Sequence, residues 1–362
     1  MPLSDEERRK LRERCTIDLN GFRAPPPAEE FQLLADWCRA NGVSHDSYGE
    51  GALIEGFERR VAGLIGKAAA AVMPSGVMAQ LAAVRIWTER ARLDRFGLHP
   101  TSHLILHERE AYQALFGLHG AVVGNRLRPM TAADLDAERS ALACLIVELP
   151  IREAGGQLPT WEALEALKDA SRKRAIPLHM DGARLWESRA FYGRSYAEIA
   201  DGFASVYVSL YKGLGGIAGA VLAGDEDFIT EARIWRRRMG GTLTHQSPMI
   251  VSAAMRMETR LGQMDACYAR ALSLAEALSR VPGVKINPAR PHINMMHLCF
   301  EAPVDALLDR RDAIAKRDGV WLISGAKSAE VPGWSVSEFY VGDTLVGLGD
   351  DDVVPLLRDL LG

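Results

Sequence analysis

A chain of 362 residues with 48% hydrophobic and 25% charged side chains has the make-up of an ordinary globular protein and is long enough for more than one domain. Its formal net charge of −4, with no sustained basic run, argues against nucleic acid as a partner. No apolar run is long enough to cross a bilayer, and the charged start MPLSDEERRKLRERC lacks the apolar core of a secretory signal; the five scattered cysteines, without a CxxC pair, point to reduced thiols in a cytoplasm.

Ser4 followed by Glu7 predicts a capping box that opens a short helix to Arg14. Three prolines in the stretch 16–27 forbid helix and predict an extended arm of the kind subunits use to reach each other. Apolar residues at helical spacing predict helices over 29–41, closed by Gly42, and over 54–66. AAAAVM then reads as a short buried strand and PSGVMAQLAAVRIW as a turn into a helix. The Ser75 hydroxyl, the N–H groups of Gly76 and Val77 and the helix dipole therefore converge, which is a ready anion site.

SHLILHE, 102–108, alternates toward a strand and carries His103 near its start, while His107 reads as structural. A buried strand ACLIVEL includes Glu148, and a helix over 161–174 leads to the strand 176–180. That strand delivers Asp181 and Arg184. The next, 206–210, delivers Lys212 and a cluster of glycines, followed by a strand over 219–223 and a helix capped by Asp225. The segment 239–248 reads as a loop, two helices over 250–260 and 263–280 come next, and VKINP, INMMHLCFE and GVWLISG with a final helix over 351–361 make a small α+β region. Three parts are expected: an N-terminal helix and arm over 1–45, a large domain over 46–255 and a small one over 256–362.

Strands alternating with helices predict an α/β fold with a mostly parallel sheet covered by helices and reactive groups at strand ends. Asp181 and Lys212 are chemically complementary there. A lysine can form a Schiff base with an aldehyde and an acid can keep a ring nitrogen protonated, the two demands of pyridoxal phosphate.

HMDGARLWES and SLYKGLGGIAGAVLAGDEDFITEARIWRRRMGG, with DSYGEGALIEGFERRVAGLIGKAAAAVMPSGVMAQLAA upstream, resemble three segments of the threonine aldolase and β-eliminating lyase family in the family's own order. The resemblance implies a fold-type I pyridoxal phosphate enzyme with a smaller C-terminal α+β domain. It implies cleavage of a β-hydroxy-α-amino acid to glycine and an aldehyde through a quinonoid intermediate, with β-elimination or transamination as the alternative. Lys212 is then the Schiff-base lysine, Asp181 the partner of the pyridine nitrogen and His103 the residue stacked on the ring, able to share in proton transfer. Ser75, Gly76, Val77 and His245 complete the cofactor contacts, Arg184 grips the substrate carboxylate and Tyr48 lines the substrate pocket or meets a partner subunit. A homodimer or homotetramer with shared sites is expected. The likeness breaks on the substrate side: Glu148 is followed by Leu149, Pro150 and Ile151, where the family carries a histidine that handles the substrate hydroxyl, and Thr244 or His245 replaces an arginine.

Overall fold

The structure is a computed structural model that describes residues 3–362. Seven strands form one sheet: Ala69–Met73 (β1), Arg95–Leu98 (β2), His119–Val122 (β3), Leu145–Glu148 (β4), Leu178–Gly182 (β5), Ser205–Ser209 (β6) and Ala220–Gly224 (β7). Their order is β1-β7-β6-β5-β4-β2-β3, and every pairing is parallel except the two made by β7. Strands β5, β6 and β7 are buried along their whole length, which is why their sequences read as apolar runs rather than alternations.

Helix Gly76–Ala91 packs on this sheet with a face of small residues, Ala79, Ala82 and Ala83, which let it come close, and with the larger Ile86 and Trp87. Trp87 stacks on Phe228 of helix Glu226–Arg238 with ring centroids 5.2 Å apart. Trp87 also donates its indole N–H to Ser205 Oγ at 2.8 Å, and Ser205 Oγ lies 2.8 Å from His179 Nδ1, a polar chain closed inside the core. Burial pushes His179 down to about 3, so its imidazole is neutral and serves packing.

Residues 25–153 and 158–262 make up a larger unit; the chain up to Ala24, residues 154–157 and residues 263–362 make up a smaller one. The smaller unit holds an antiparallel sheet of Val284–Asn287 (β8), Met295–Phe300 (β9), Lys327–Ser328 (β10) and Ser335–Tyr340 (β11), in the order β10-β11-β9-β8. Its core gathers Phe300, Leu307, Phe339 and Leu357.

Four expectations change. Residues 102–108 are not a strand: His103–Leu106 is one helical turn, with Ile105 and Leu106 N–H donating to Ser102 C=O; Leu104 is buried and its neighbour Ile105 packs partly against the same core, which strand alternation would not allow, while Leu106 stays exposed. The proline-rich stretch does not project as an arm at its start; Ile17–Asp18 pairs in parallel with Val320–Trp321, Leu19 is buried, and Gly21 N–H donates to Tyr340 C=O at 2.8 Å. The two helices around Gly262 are one helix, Ser247–Leu278. Asp225 occupies the N-cap of Glu226–Arg238, but its side chain makes no capping bond. The capping box of Ser4 and Glu7 and the closure of helix Pro27–Asn41 by left-handed Gly42 are as expected. Among the described residues no helix is long and apolar enough to cross a membrane.

Candidate active site

The C-terminal ends of β4, β5 and β6 carry the reactive groups. Glu148 closes β4 directly opposite Asp181 on β5, and Asp181 in turn lies opposite Tyr207 on β6. Beyond the end of β6 the chain bends through Tyr211 into Lys212, where Gly215 N–H donates to Lys212 C=O at 3.0 Å with φ of +71°, a conformation that favours glycine. After β5 the chain makes a short 3₁₀ turn, Leu185–Glu187, pinned by buried Trp186, whose indole N–H donates to Ser209 C=O at 3.2 Å. Arg184 at the head of that turn and Lys212 after β6 are thus fixed by neighbouring strands.

Charge couples these groups. Burial pushes the Asp181 carboxyl up, with Lys212 pulling the other way; Ala183 N–H donates to one of its oxygens at 3.1 Å and the Gln80 amide to the other. Burial, with help from Asp181, raises Glu148 as well. Burial and the Arg184 guanidinium lower Lys212, which favours a neutral, nucleophilic amine. Glu187 is pushed up to about 7 by burial against the pull of Arg184 and Lys212. His103 is lowered to about 4, chiefly by burial and then by Lys212; its Nδ1 lies 2.8 Å from Glu108. Buried oxygens of Glu148, Glu187 and Gln80 find no hydrogen-bond partner among the described residues.

At the start of helix Gly76–Ala91, exposed Ser75 has extended backbone and its hydroxyl accepts from Met78 N–H at 3.2 Å. Gly76 and Val77 occupy the first turn, whose N–H groups have no intrahelical acceptor. A Cβ on Gly76 would stand 2.2 Å from the Tyr207 hydroxyl, so the helix start reaches the same strand end as Asp181 only because this residue is glycine. A buried acid with a primary amine nearby, and a helix start open to an anion, fit a group that carries an aldehyde, a ring nitrogen and a phosphate.

The sequence profile of the β-eliminating lyase family matches residues 35–300. The chain belongs to the β-eliminating lyase family. A low-specificity L-threonine aldolase of Escherichia coli O157:H7 is 30% identical over 277 residues, 72% of this chain and 79% of that protein. A crystal structure from Listeria monocytogenes, provisionally named an L-allo-threonine aldolase, is 37% identical and superposes with a TM-score of 0.90 over 97% of each chain. A serine palmitoyltransferase solved with pyridoxal phosphate is 12% identical, with a TM-score of 0.69 over 95% of this chain and 86% of that one, and shares the fold alone. The fold is that of fold-type I enzymes, and this β-eliminating lyase family member is a lyase of the threonine aldolase type. Its family implies pyridoxal phosphate.

Of the residues singled out from the sequence, Lys212, Asp181, Arg184 and His103 sense one another electrostatically, and Ser75, Gly76 and Val77 lie at the adjoining helix start. Tyr48 and His245 belong to a second cluster. Tyr48 is exposed, adopts φ of +52° and donates its N–H to Thr244 C=O at 2.9 Å; His245 Nδ1 lies 2.7 Å from Asp46 C=O, and its ring stacks on His45. Four residues that the structure gathers around the Lys212 cluster went unread. Gln80 sits one turn into the helix with no local signature, Glu187 hides in a 3₁₀ turn, Glu148 was read as a strand end only, and Glu108 pairs with a histidine placed on the wrong element. The signal available for Glu148 and Glu187 was a carboxylate inside an otherwise apolar stretch.

Proposed function

We propose that the chain cleaves a β-hydroxy-α-amino acid to glycine and an aldehyde with pyridoxal phosphate bound at the ends of β4, β5 and β6. The observation that carries this reading is the buried lysine amine, lowered from its ordinary range by burial and Arg184, in the field of the buried acid Asp181. When bound, the cofactor supplies a protonated ring that accepts the electron pair of a bond broken at Cα. Lys212 would hold its aldehyde carbon and Asp181 its ring nitrogen, with Gln80 and Ala183 N–H keeping the carboxylate aimed. Ser75 Oγ and the N–H groups of Gly76 and Val77 would hold the phosphate.

His103, neutral and turned by Glu108, would lie against the ring and serve proton transfer. Arg184 binds the substrate carboxylate with its planar fork. With Glu187 and Glu148 beside it, this arginine keeps its orientation inside a site that excludes bulk water. Tyr48 and His245 reach substrate or cofactor from a neighbouring subunit.

A homodimer or homotetramer with shared sites fits the surface near Tyr48 and His245. An apolar groove of about 400 Å³ there, lined by Phe31, Leu34, Cys38, Val43, Pro248 and Val251, leaves Phe31 64% exposed. Cysteines joined by no disulfide suit a cytoplasmic enzyme. Aldehyde and glycine release from a panel of L- and D-β-hydroxy amino acids, with purified protein loaded with pyridoxal phosphate, tests the reaction. Robust release from one member is the expected result, and none from any member, with the cofactor spectrum still responding to amino acids, refutes aldol cleavage. Light scattering tests the assembly, where a monomer at micromolar concentration refutes the shared site.

A further inference from the structure

The turn that carries His103 carries a second imidazole. His107 N–H donates to His103 C=O at 2.9 Å, so the two side chains leave one face of a single helical turn, and their rings are 4.7 Å apart. His103 is held on Nδ1 by Glu108 at 2.8 Å. His107 is held on Nε2 by Glu153 at 3.1 Å, and Glu153, with only 16% of its side chain exposed, comes from the loop after β4. The structure therefore contains two acid–imidazole pairs side by side, one of them in the field of Lys212. The two imidazoles are about equally exposed, His103 with 37% and His107 with 39% of its side chain, so His107 is open to an incoming group while His103 sits in the field of Lys212.

The loop after β4 is also the place where the substrate side of the site departs from its relatives' pattern: Leu149, Pro150 and Ile151 follow Glu148 and carry no proton-accepting group. In this chain the same loop supplies a carboxylate, Glu153, and the facing turn supplies the imidazole. An acid that accepts from Nε2–H leaves Nδ1 with a lone pair, which makes the ring a base at that atom.

We infer that His107, oriented by Glu153, takes the hydroxyl proton of the β-hydroxy amino acid. This inference rests on the aldol-cleavage reading above. In the step, the O–H bond gives its proton to His107 Nδ1, the oxygen's electron pair forms the aldehyde C=O, and the Cα–Cβ bond breaks with its pair left on Cα. Cα later takes a proton to become glycine. Glu153 is a positioning residue, and Arg152 Nη1 lies 3.4 Å from the same carboxylate oxygen; the other titratable groups facing His107 are His103 and Glu108.

The test compares two reactions of the same loaded enzyme. Aldehyde release requires the hydroxyl proton to leave, whereas exchange of the α-proton of glycine in D₂O does not. In H107Q, with H107N as a second variant should the first fold poorly, the ratio of aldehyde release to α-proton exchange is expected to fall about 100-fold, the span of one general base. In E153Q the ratio falls about tenfold. In the cofactor-free protein, ¹⁵N resonances should show the ring proton of His107 confined to Nε2 in wild type and shared between the nitrogens in E153Q. A ratio within twofold of wild type in the His107 variants overturns the inference, as does a wild-type ring proton on Nδ1. Wild type that releases no aldehyde at all refutes the parent reading instead, so the two failures are distinct.

Discussion

Asp46 and Asp181 are both buried to within 3% of full enclosure, and the protein treats them in opposite ways. Asp46 lies at the head of helix Ser247–Leu278, where its carboxylate accepts N–H bonds from Gln246, Ser247 and Gly49 at 2.7 to 3.0 Å. Burial pushes its carboxyl up, but those donors outweigh burial and hold it below its usual range. Asp181 has one backbone donor and one side-chain amide, faces Glu148 across the sheet, and stays raised. The difference separates structure from chemistry: a buried acid surrounded by donors is anchored for good, and one left short of them is poised for a ligand.

The largest effect expected from that contrast falls on the lysine opposite the short-changed acid. Lys212→Ala should lower aldehyde release by about 10³-fold or more, since no other amine of this cluster can replace the nucleophile, and should remove the visible band that the cofactor shows on binding. Turnover within tenfold of wild type would reject Lys212 as the attachment point. The two aspartates follow, and they should split activity from stability. Asp181→Asn removes a charge the interior resists and is expected to cut turnover at least 100-fold with no loss of stability. Asp46→Asn puts an amide among three N–H donors and is expected to cost about 2 kcal/mol in urea unfolding. Equal destabilisation by both substitutions would dissolve the comparison.

Gly76→Ala tests the seam between helix and strand. The new methyl would stand 2.2 Å from the Tyr207 hydroxyl, an overlap relieved only by moving the helix start or the ring. A stability loss of about 1–3 kcal/mol is expected, with weakened cofactor affinity beside it. Affinity and melting temperature equal to wild type would show that the helix start does not need its closeness to β6.

The reactive framework was legible because it rests on local signals. Glycine-marked turns after apolar runs place Asp181, Lys212 and Ser75 at strand or helix ends, and strand ends are where an α/β sheet gathers its chemistry. What escaped has physical causes. Arg95–Leu98 did not read as a strand because it carries Gly97, which is there to make room: a Cβ would be 2.6 Å from Leu145. His119–Val122 is an edge strand with two exposed residues, too short and polar to show a pattern. Gly262 falls between the two helices expected over 250–260 and 263–280, yet helix Ser247–Leu278 runs through it, because burial of Met257, Met264 and Cys267 on one face outweighs the propensity of one glycine. The turn at His103 shows the reverse problem, since SHLILHE fits either period and the packing of the adjacent Leu104 and Ile105 against one core decides it. Tertiary pairings such as Gln80 with Asp181, or Glu153 with His107, join positions far apart in the chain, and no periodicity reports them.

The last effect leaves activity aside, and its sign is the least intuitive. Glu187 has an ordinary carboxyl range near 4.5 and is raised to about 7 by burial, with one buried oxygen lacking a partner among the described residues. A raised acid binds its proton more tightly folded than unfolded. Its contribution is therefore complete below pH 4.5 and is lost progressively as pH rises toward 7, on the order of 1 kcal/mol per pH unit across that window. Asp46 has the opposite sign: held low, it stabilises the fold above its ordinary range and ceases to as pH falls. Glu187→Gln removes the first term and leaves the second, so its urea-unfolding stability should rise relative to wild type between pH 5 and 7 while matching it near pH 4. Parallel curves for the two proteins across that range would mean that Glu187 is ionised in the folded chain, with Arg184 strong enough to overcome burial, and the contrast between satisfied and poised carboxylates would then stop at Asp181 and Glu148.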